Sequence, residues 1–552
     1  MVISSHRYRF LWFSILLAIL LSPNIYLATT GIEYVSGSIA NKVALSTFSA
    51  LFFLLPLLVV KIRLYLFTMS PLVLLIPLEI IHVHLYGTSS SIGGTGALID
   101  TNISESVEFI DGFKLLIYSA PALFAIFLWI VIAKIKKDFI FTRKFKKILF
   151  YISIIFFSLV FTRDVFVAPE NSIGKAAGGF TNRFYKTYPI GGLFKLITVS
   201  QYKARELYHS SALKNFQFNA AKKDNLAYRE RYILIIGETA RYQSWGINGY
   251  HRNTSPNLSN NSDIISYTNV NSVSTQTRTA LPILFTRASI SKLDLMYKEK
   301  SFLSAFRECN FKTYWISNQG RFGSINENEA DKMIFLKSNI ALETKHDGDM
   351  LPFLNEILNG NEQKLFIVLH TLGSHHKYSH RYPDNFDLFK PSLKEKNITC
   401  SLGSKVVYIN SYDNSILYTD FFISSVIKMV SKTDSISCVL YISDHGENIY
   451  DDDRNLIGHG SPQPSKYETH IPLFLWLSER YRNVYPDKYS TIKMNKEKGI
   501  SLENIFFSIL DIANITYDGE DLTRSIASHN LKTYKREVLS VNNDRIPFDN
   551  LF

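Results

Sequence analysis

Three short apolar runs in the second half of the chain each end in a polar tail of metal-ligating type. Tyr232–Ile236 leads into Gly237-Glu238-Thr239-Ala240-Arg241, and Leu365–Leu369 into His370-Thr371-Leu372-Gly373-Ser374-His375. Cys438–Ile442 leads into Ser443-Asp444-His445-Gly446-Glu447, with Gly458-His459-Gly460 a short loop later. A carboxylate with an Asp-His couple offers hard oxygen and borderline nitrogen donors, a set suited to Zn²⁺. A catalytic zinc keeps one position for a nucleophile or substrate. The segment from Ser272 to Pro282 supplies hydroxyls at the start of an apolar, helix-like run. A helix N-terminus presents free N–H groups and a positive dipole to an anion, so a phosphoryl group suits it. Zinc there lowers the pKa of a hydroxyl, makes it a nucleophile and stabilises charge on phosphorus oxygens. Spacing alone leaves Thr275, Thr277 and Thr279 open for that part. His376 and His380 read as solvated neighbours.

These tails need a frame that brings them to one point. From residue 229 onward, strand-length apolar runs alternate with helical patterns. Besides the three above, the runs are Thr313–Ile316 and Pro472–Leu477, and the helical segments include Ser301–Glu308, Ile409–Val430 and Leu502–Ile512. Strands buried on both faces, alternating with helices, predict a mostly parallel α/β sheet with helices on both faces. In such sheets the site lies beyond the carboxyl ends of the strands, where all three tails fall.

The first 168 residues read differently. Charged residues make up only 20% of the chain and aromatics 14%, at a mean hydropathy of +0.03. The deficit of charge is concentrated in five segments at about 10–28, 43–60, 64–86, 115–133 and 148–168, each matched to a hydrocarbon layer about 30 Å thick. With the N-terminus in the cytoplasm, the inside pieces carry Arg7, Arg9, Lys61, Arg63, Lys134, Lys136, Lys137, Arg143, Lys144, Lys146 and Lys147 against Asp138 alone. The opposite loop at 87–113 holds Asp100, Glu105, Glu108 and Asp111 with no Lys or Arg. This asymmetry orients the spans and puts everything after about residue 168 outside the cytoplasm. It accounts for most of the formal charge of +12, so the basic balance is a topology signal and excludes a nucleic-acid reading. Glu79, His82 and His84 sit near the outer end of the third span, either lining a headgroup's approach or reaching for the interface.

Residues 169–228 form a connector with an amphipathic stretch at 193–213, expected to lie along the membrane surface, and 229–552 form the catalytic domain. Cys309, Cys400 and Cys438 lack any CxxC spacing, so they imply neither a zinc ribbon nor a disulfide framework.

The phrases IIGETARYQSWGINGYHRNTSPNL at 235–258, STQTRTALP at 274–282, LHTLGSHHKYSHRYP at 369–383, INSYDNSILYTD at 409–420, ISDHGE at 442–447 and GHG at 458–460 occur in this order. Together they resemble the phosphoethanolamine transferases that modify lipopolysaccharide, including the lipid A and mobile colistin-resistance enzymes. The resemblance covers most of the chain and implies a sulfatase-like domain of the alkaline phosphatase superfamily. It implies that Glu238, Asp444 and His445 bind zinc with Thr277, and that Thr277 is the nucleophile. His375 and His459 would contact the phosphoethanolamine group or a second zinc, with His370 nearby. Thr101 and Glu105 match two positions for the donor headgroup, although the family's Asn four positions before that threonine is Ala97 here. Lipid A members staple the nucleophile turn with a disulfide, whereas the corresponding residues here are Val273 and Ile283, so packing must hold the turn.

The resemblance implies an inner-membrane, multi-pass enzyme with a periplasmic catalytic domain. Phosphatidylethanolamine would be the donor, lipopolysaccharide the acceptor and a phospho-threonine the intermediate. The SHxxYxxRYP and INSYDNS phrases look closest to branches acting on inner-core sugars, heptose or Kdo. Three other readings stand beside this one: a glycerol-phosphate transferase, transfer to a periplasmic glucan, and a metal-free envelope scaffold. Intact Glu238, Thr277, Asp444 and His445 speak against the scaffold.

Overall fold

The computed structural model describes residues 2–31, 39–100, 103–137, 139–167, 186–213, 215–320, 327–336, 345–395 and 402–551. It divides into two compact units, residues 1–99 with 106–201, and residues 100–105 with 202–552.

The first unit is helical. Among the described residues, four of its helices are long and apolar enough to cross a membrane: Tyr8–Thr30, Ile62–Tyr86, Phe113–Ala133 and Arg143–Arg163. The expected span at 43–60 is a shorter apolar helix, Lys42–Leu58. Its α-helical part ends at Leu54 and continues as a 3-10 turn over Leu55–Leu58, where Pro56 lacks the N–H an α-helix needs. The fourth expected span begins just after a break in the helix Ile103–Ala133 at Phe113, whose φ of −130° and ψ of 22° are not helical.

Glu79 and His82 are tied to the turn that follows their helix. Glu79 Oε1 accepts from the Ser90 N–H (2.9 Å), and His82 Nδ1 lies 2.9 Å from the Thr88 carbonyl. The Lys195 ammonium donates to the Ser90 carbonyl of the same turn. His84 Nδ1 instead meets the Tyr26 hydroxyl at 3.3 Å. The amphipathic stretch of the connector is a helix, Ile190–Leu213, on which Leu193, Phe194, Leu196 and Ile197 are exposed.

The second unit is built on a seven-stranded sheet, with strands β1 (Glu230–Gly237), β2 (Ile265–Tyr267), β3 (Lys312–Ser317), β4 (Lys332–Phe335), β5 (Lys364–His370), β6 (Ile436–Ser443) and β7 (Leu473–Leu477). Their order is β2-β7-β6-β1-β5-β3-β4. β6, β1, β5, β3 and β4 run parallel, and β7 pairs antiparallel with β6 and β2. Alternate side chains of β1 feed two cores. Tyr232, Leu234 and Ile236 pack with Phe302, Phe306, Phe506 and Ile509 on one face, and Ile233 and Ile235 with Tyr412, Ile416, Leu354 and Phe422 on the other. Helices therefore cover both faces, and each aliphatic side chain so buried contributes about 1.5–3 kcal/mol. Two helices matter for the site, α1 (Thr277–Phe285) and α2 (Lys405–Val430). Cys309 and Cys438 are buried free thiols, and Cys400 lies outside the described residues.

One buried acid away from the site makes stability depend on pH. Glu329 accepts from the Ser301 N–H (2.9 and 3.1 Å) and hydroxyl (2.7 Å), at the N-cap of the helix Phe302–Glu308. Burial outweighs those bonds and pushes its pKa up to about 7. The folded state therefore holds a proton that the unfolded chain releases near pH 4.5, and this contribution is lost as pH rises towards 7. Glu329→Gln should flatten the fall in melting temperature between pH 5 and 8. Equal slopes in thermal unfolding would remove Glu329 as its source.

Candidate active site

The register of the central strands brings the tails level. Ile236 lies opposite both His370 and Ile442, and Ser317 opposite His370, so the chain leaves β1, β3, β5 and β6 along one edge. Glu238 and Asp444 are 1% and 0% exposed, and His445 is 0% exposed. One donor atom from each lies within 4.8 Å of the other two.

Thr277 opens α1 and points its hydroxyl at this group. Its Oγ1 is 3.1 and 3.4 Å from the Glu238 oxygens and 3.2 Å from His445 Nε2. His445 Nε2 is in turn 3.4 Å from both Glu238 Oε1 and Asp444 Oδ2. Thr275 is fully buried and its hydroxyl makes no hydrogen bond among the described residues. Of the three threonines that spacing left open, only Thr277 is placed with the carboxylates and the imidazole by these bonds.

Each of these three side chains is held from behind. Asp444 Oδ1 accepts from the N–H groups of Thr239 (3.2 Å) and His445 (2.7 Å), while Oδ2 is buried and accepts none among the described residues. His445 Nδ1 lies 2.9 Å from the Gly446 carbonyl. Only a protonated Nδ1 can donate there, which leaves the Nε2 lone pair for the site. Glu238 Oε1 accepts from the Thr239 hydroxyl (2.6 Å) and Oε2 from the Gln319 amide (3.0 Å). Thr239 has a φ of 61°, a costly left-handed conformation for a β-branched residue. Its N–H, its hydroxyl and its carbonyl, which accepts from the Tyr412 hydroxyl (2.7 Å), are all engaged, so the conformation is over-determined. Gly373 has a φ of 51° and lies against Glu238, whose carbonyl oxygen and nitrogen would be 2.6 and 2.9 Å from any added Cβ. Only glycine fits there.

The donor set fits a tetrahedral ion. Bonds of about 2.0 Å to a tetrahedral centre set ligand atoms about 3.3 Å apart; the Thr277–Glu238, Thr277–His445, His445–Glu238 and His445–Asp444 spacings run from 3.1 to 3.4 Å, and the Glu238, Asp444 and His445 donor atoms all lie within 4.8 Å of one another. The lone Asp444 oxygen buried without a donor points the same way.

The other expected residues fall at different depths. The His459 ring lies over His445 (centroids 4.2 Å apart) and 6.2 Å from that of His375. His459 Nδ1 is 2.7 Å from Glu447 Oε2, and Glu447 Oε1 accepts from the Tyr378 hydroxyl (2.5 Å). Burial opposes a charge on His459, but the Glu447 carboxylate prevails and raises its pKa to about 9. Burial dominates at His375 and His370 and lowers them to about 3 and 4. His370 is 1% exposed and edge-on to Trp315, inside the sheet. Thr101 and the Glu105 side chain lie outside the described residues.

Packing holds the turn before Thr277, as Val273 and Ile283 in place of a disulfide require. Both are 0% exposed. Ser272 N–H donates to the Thr469 carbonyl (2.7 Å), and the short strand Glu537–Leu539 adds a bond from Leu539 N–H to the Val273 carbonyl (2.8 Å). Sequence reasoning missed Gln319, Tyr378 and the part played by Glu447. Gln319 follows β3 as Glu238 follows β1, so the same strand-end rule would have found it.

The sulfatase family model matches residues 230–515, just over half of the chain. The Kdo(2)-lipid A phosphoethanolamine 7''-transferase of Escherichia coli strain K12 is 30% identical over 311 residues, 54% of this chain and 53% of that protein. The chain spans little more than half the length of the curated relatives it matches. The crystal structure of the C-terminal periplasmic domain of Escherichia coli EptC in complex with zinc is 26% identical, with a TM-score of 0.55 over 61% of this chain and 96% of that one. The integral membrane lipooligosaccharide phosphoethanolamine transferase A of Neisseria meningitidis shares the fold, with a TM-score of 0.73 at 20% identity over 93% of this chain and 97% of that one. The chain belongs to the sulfatase family.

Proposed function

We propose that the chain transfers phosphoethanolamine from phosphatidylethanolamine to lipopolysaccharide through a covalent intermediate on Thr277. The observation that carries this reading is the Thr277 hydroxyl 3.1–3.4 Å from Glu238 and His445, where three buried side chains can hold one ion. Bound by Glu238, Asp444, His445 and Thr277, Zn²⁺ would ionise the hydroxyl and stabilise charge on the phosphoryl oxygens.

Thr277 Oγ1 attacks phosphorus, and the bond to the diacylglycerol oxygen breaks. An oxygen of the acceptor then attacks the same phosphorus and releases Thr277. Placement of Thr277 at the first position of α1 keeps the phosphoryl group at a helix N-terminus in both steps. His459, with Nδ1 engaged by Glu447, offers its other ring nitrogen to the substrate beside His375. Thr101 and Glu105 are assigned to the donor headgroup on the family pattern.

We place residues 1–168 in the inner membrane as five spans with a cytoplasmic N-terminus, 169–228 as an interfacial connector, and 229–552 in the periplasm. Lys134, Lys136, Lys137, Arg143, Lys144, Lys146 and Lys147 in a single loop support this orientation. The acceptor position is assigned to the inner-core sugars, in keeping with a relative whose name specifies Kdo(2)-lipid A.

Mass spectrometry of lipopolysaccharide from cells with and without the protein tests the reading. An added phosphoethanolamine on a core sugar is expected. Its appearance on lipid A would move the acceptor, and an unchanged profile together with no headgroup exchange on phosphatidylethanolamine would refute the transfer. Exchange on phosphatidylglycerol instead would replace the donor.

A further inference from the structure

From the tail of β3 we infer that Gln319 is a positioning residue. It fixes the Glu238 carboxylate and couples it to the loop that follows β5, which runs from His370 to His375. Gln319 is 3% exposed, and its Nε2 donates to Glu238 Oε2 (3.0 Å) and to the Thr371 carbonyl (2.8 Å). Both partners can only accept, so the amide has one workable orientation and both of its hydrogens are used. The backbone beneath is pinned as well. Gln319 N–H donates to the Ser317 hydroxyl (3.0 Å), and Asn318 N–H to the His370 carbonyl (3.0 Å). Asn318 Nδ2 reaches Asp347 Oδ1 (2.9 Å), and the Asp347 carboxylate accepts from the N–H groups of Leu372 (2.8 Å) and Gly373 (3.0 Å). Two adjacent side chains thus grip both sides of the loop that packs on Glu238.

The consequence for chemistry is specific. Glu238 Oε1 already takes the Thr239 hydroxyl, so with Gln319 on Oε2 each oxygen is held by one donor besides the Thr277 hydroxyl. The carboxylate plane is then set before any ion or substrate arrives, and with it the position of Thr277 Oγ1 relative to Glu238. Losing such an outer partner typically weakens metal binding about 10–100-fold. The inference rests on the proposed reading of Glu238 and Thr277.

Gln319→Leu keeps bulk but no donor, and Gln319→Glu keeps shape but faces Glu238 with a second carboxylate. In the full-length protein in detergent, zinc competition with a chelating dye should show affinity lowered about 10–100-fold in both variants. The turnover number for headgroup transfer at saturating zinc should fall with KM for phosphatidylethanolamine unchanged. Melting temperature in chelator should stay within about 5 °C of the parent, the scale of one lost buried contact in a domain this size. Unchanged zinc affinity in Gln319→Glu overturns the inference, because a residue that only fills space tolerates an isosteric carboxylate. If Gln319→Leu fails to fold, the Gln319→Glu result decides alone. Zinc binding lowered in the variants while the parent transfers nothing would sink the transferase reading and leave the positioning role standing.

Discussion

Thr277→Ala is expected to abolish transfer, by at least about 10⁴-fold, while the protein keeps its fold and most of its affinity for zinc. The substitution removes one hydroxyl from a half-buried position and leaves Glu238, Asp444 and His445 with all of their other backbone and side-chain bonds. Incubation of the parent with phosphatidylethanolamine should add one phosphoethanolamine to the protein, found by intact-mass measurement and mapped to Thr277. Thr277→Ala should show none, and Thr277→Ser should recover part of both signals. Near-normal turnover in Thr277→Ala would hand the role to a neighbour. The structure makes that costly for Thr275, whose hydroxyl lies in the interior with no hydrogen bond among the described residues. Thr279 is two residues further along α1, which turns it about 200° around the helix axis from Thr277.

The strand ends of the soluble unit were readable because central parallel strands are buried on both faces and so appear as unbroken apolar runs. Tyr232–Ile236 is the middle of β1, and the missing ends are informative. Glu230 and Arg231 are 1% and 0% exposed, yet both are charged. Glu230 is paired with Lys222 (2.7 Å), and the Arg231 guanidinium donates to the carbonyls of Glu362 and Gln363 (2.6 and 2.9 Å). Partners 8 and more than 100 residues away are invisible in a local pattern. β2 and β4, three and four residues long at the sheet edges, leave no periodicity to find.

The INSYDNS phrase carried recognition but no chemistry, and its side chains explain why. Tyr412 donates to the Thr239 carbonyl and accepts from the Arg241 N–H, and Ser415 bonds Ser374 (2.8 Å), so one side of α2 braces two site loops. Asn414 takes the N–H groups of Leu388 and Phe389, Ser411 that of Leu393, and Asp413 pairs with Arg252 (2.8 Å). These residues frame the site, and nothing in their spacing reveals which loops they grip.

Asp444→Asn should reverse sign with the metal. In the metal-free protein, Glu238 and Asp444 are two buried carboxylates beside an imidazole, and Asp444 Oδ2 accepts no hydrogen bond among the described residues. An uncompensated buried charge costs several kcal/mol even after relaxation. Asparagine keeps an oxygen for the Thr239 and His445 N–H groups and replaces the exposed-to-site oxygen by a neutral amide. Melting temperature in chelator should therefore rise. With zinc added, the parent gains stability by mass action on its folded state, whereas an amide nitrogen offers the ion no lone pair. The variant should lose at least about 100-fold in affinity, beyond the loss typical of an outer-shell change, and with it most of the zinc-dependent gain. Thermal unfolding with zinc and with chelator, alongside metal content of the purified protein, reads both signs. A variant that is less stable than the parent in chelator would mean the parent's Asp444 is compensated by protein groups alone. Unchanged zinc content would take Asp444 out of the ligand set, and the tetrahedral spacing around Thr277 would then need another explanation.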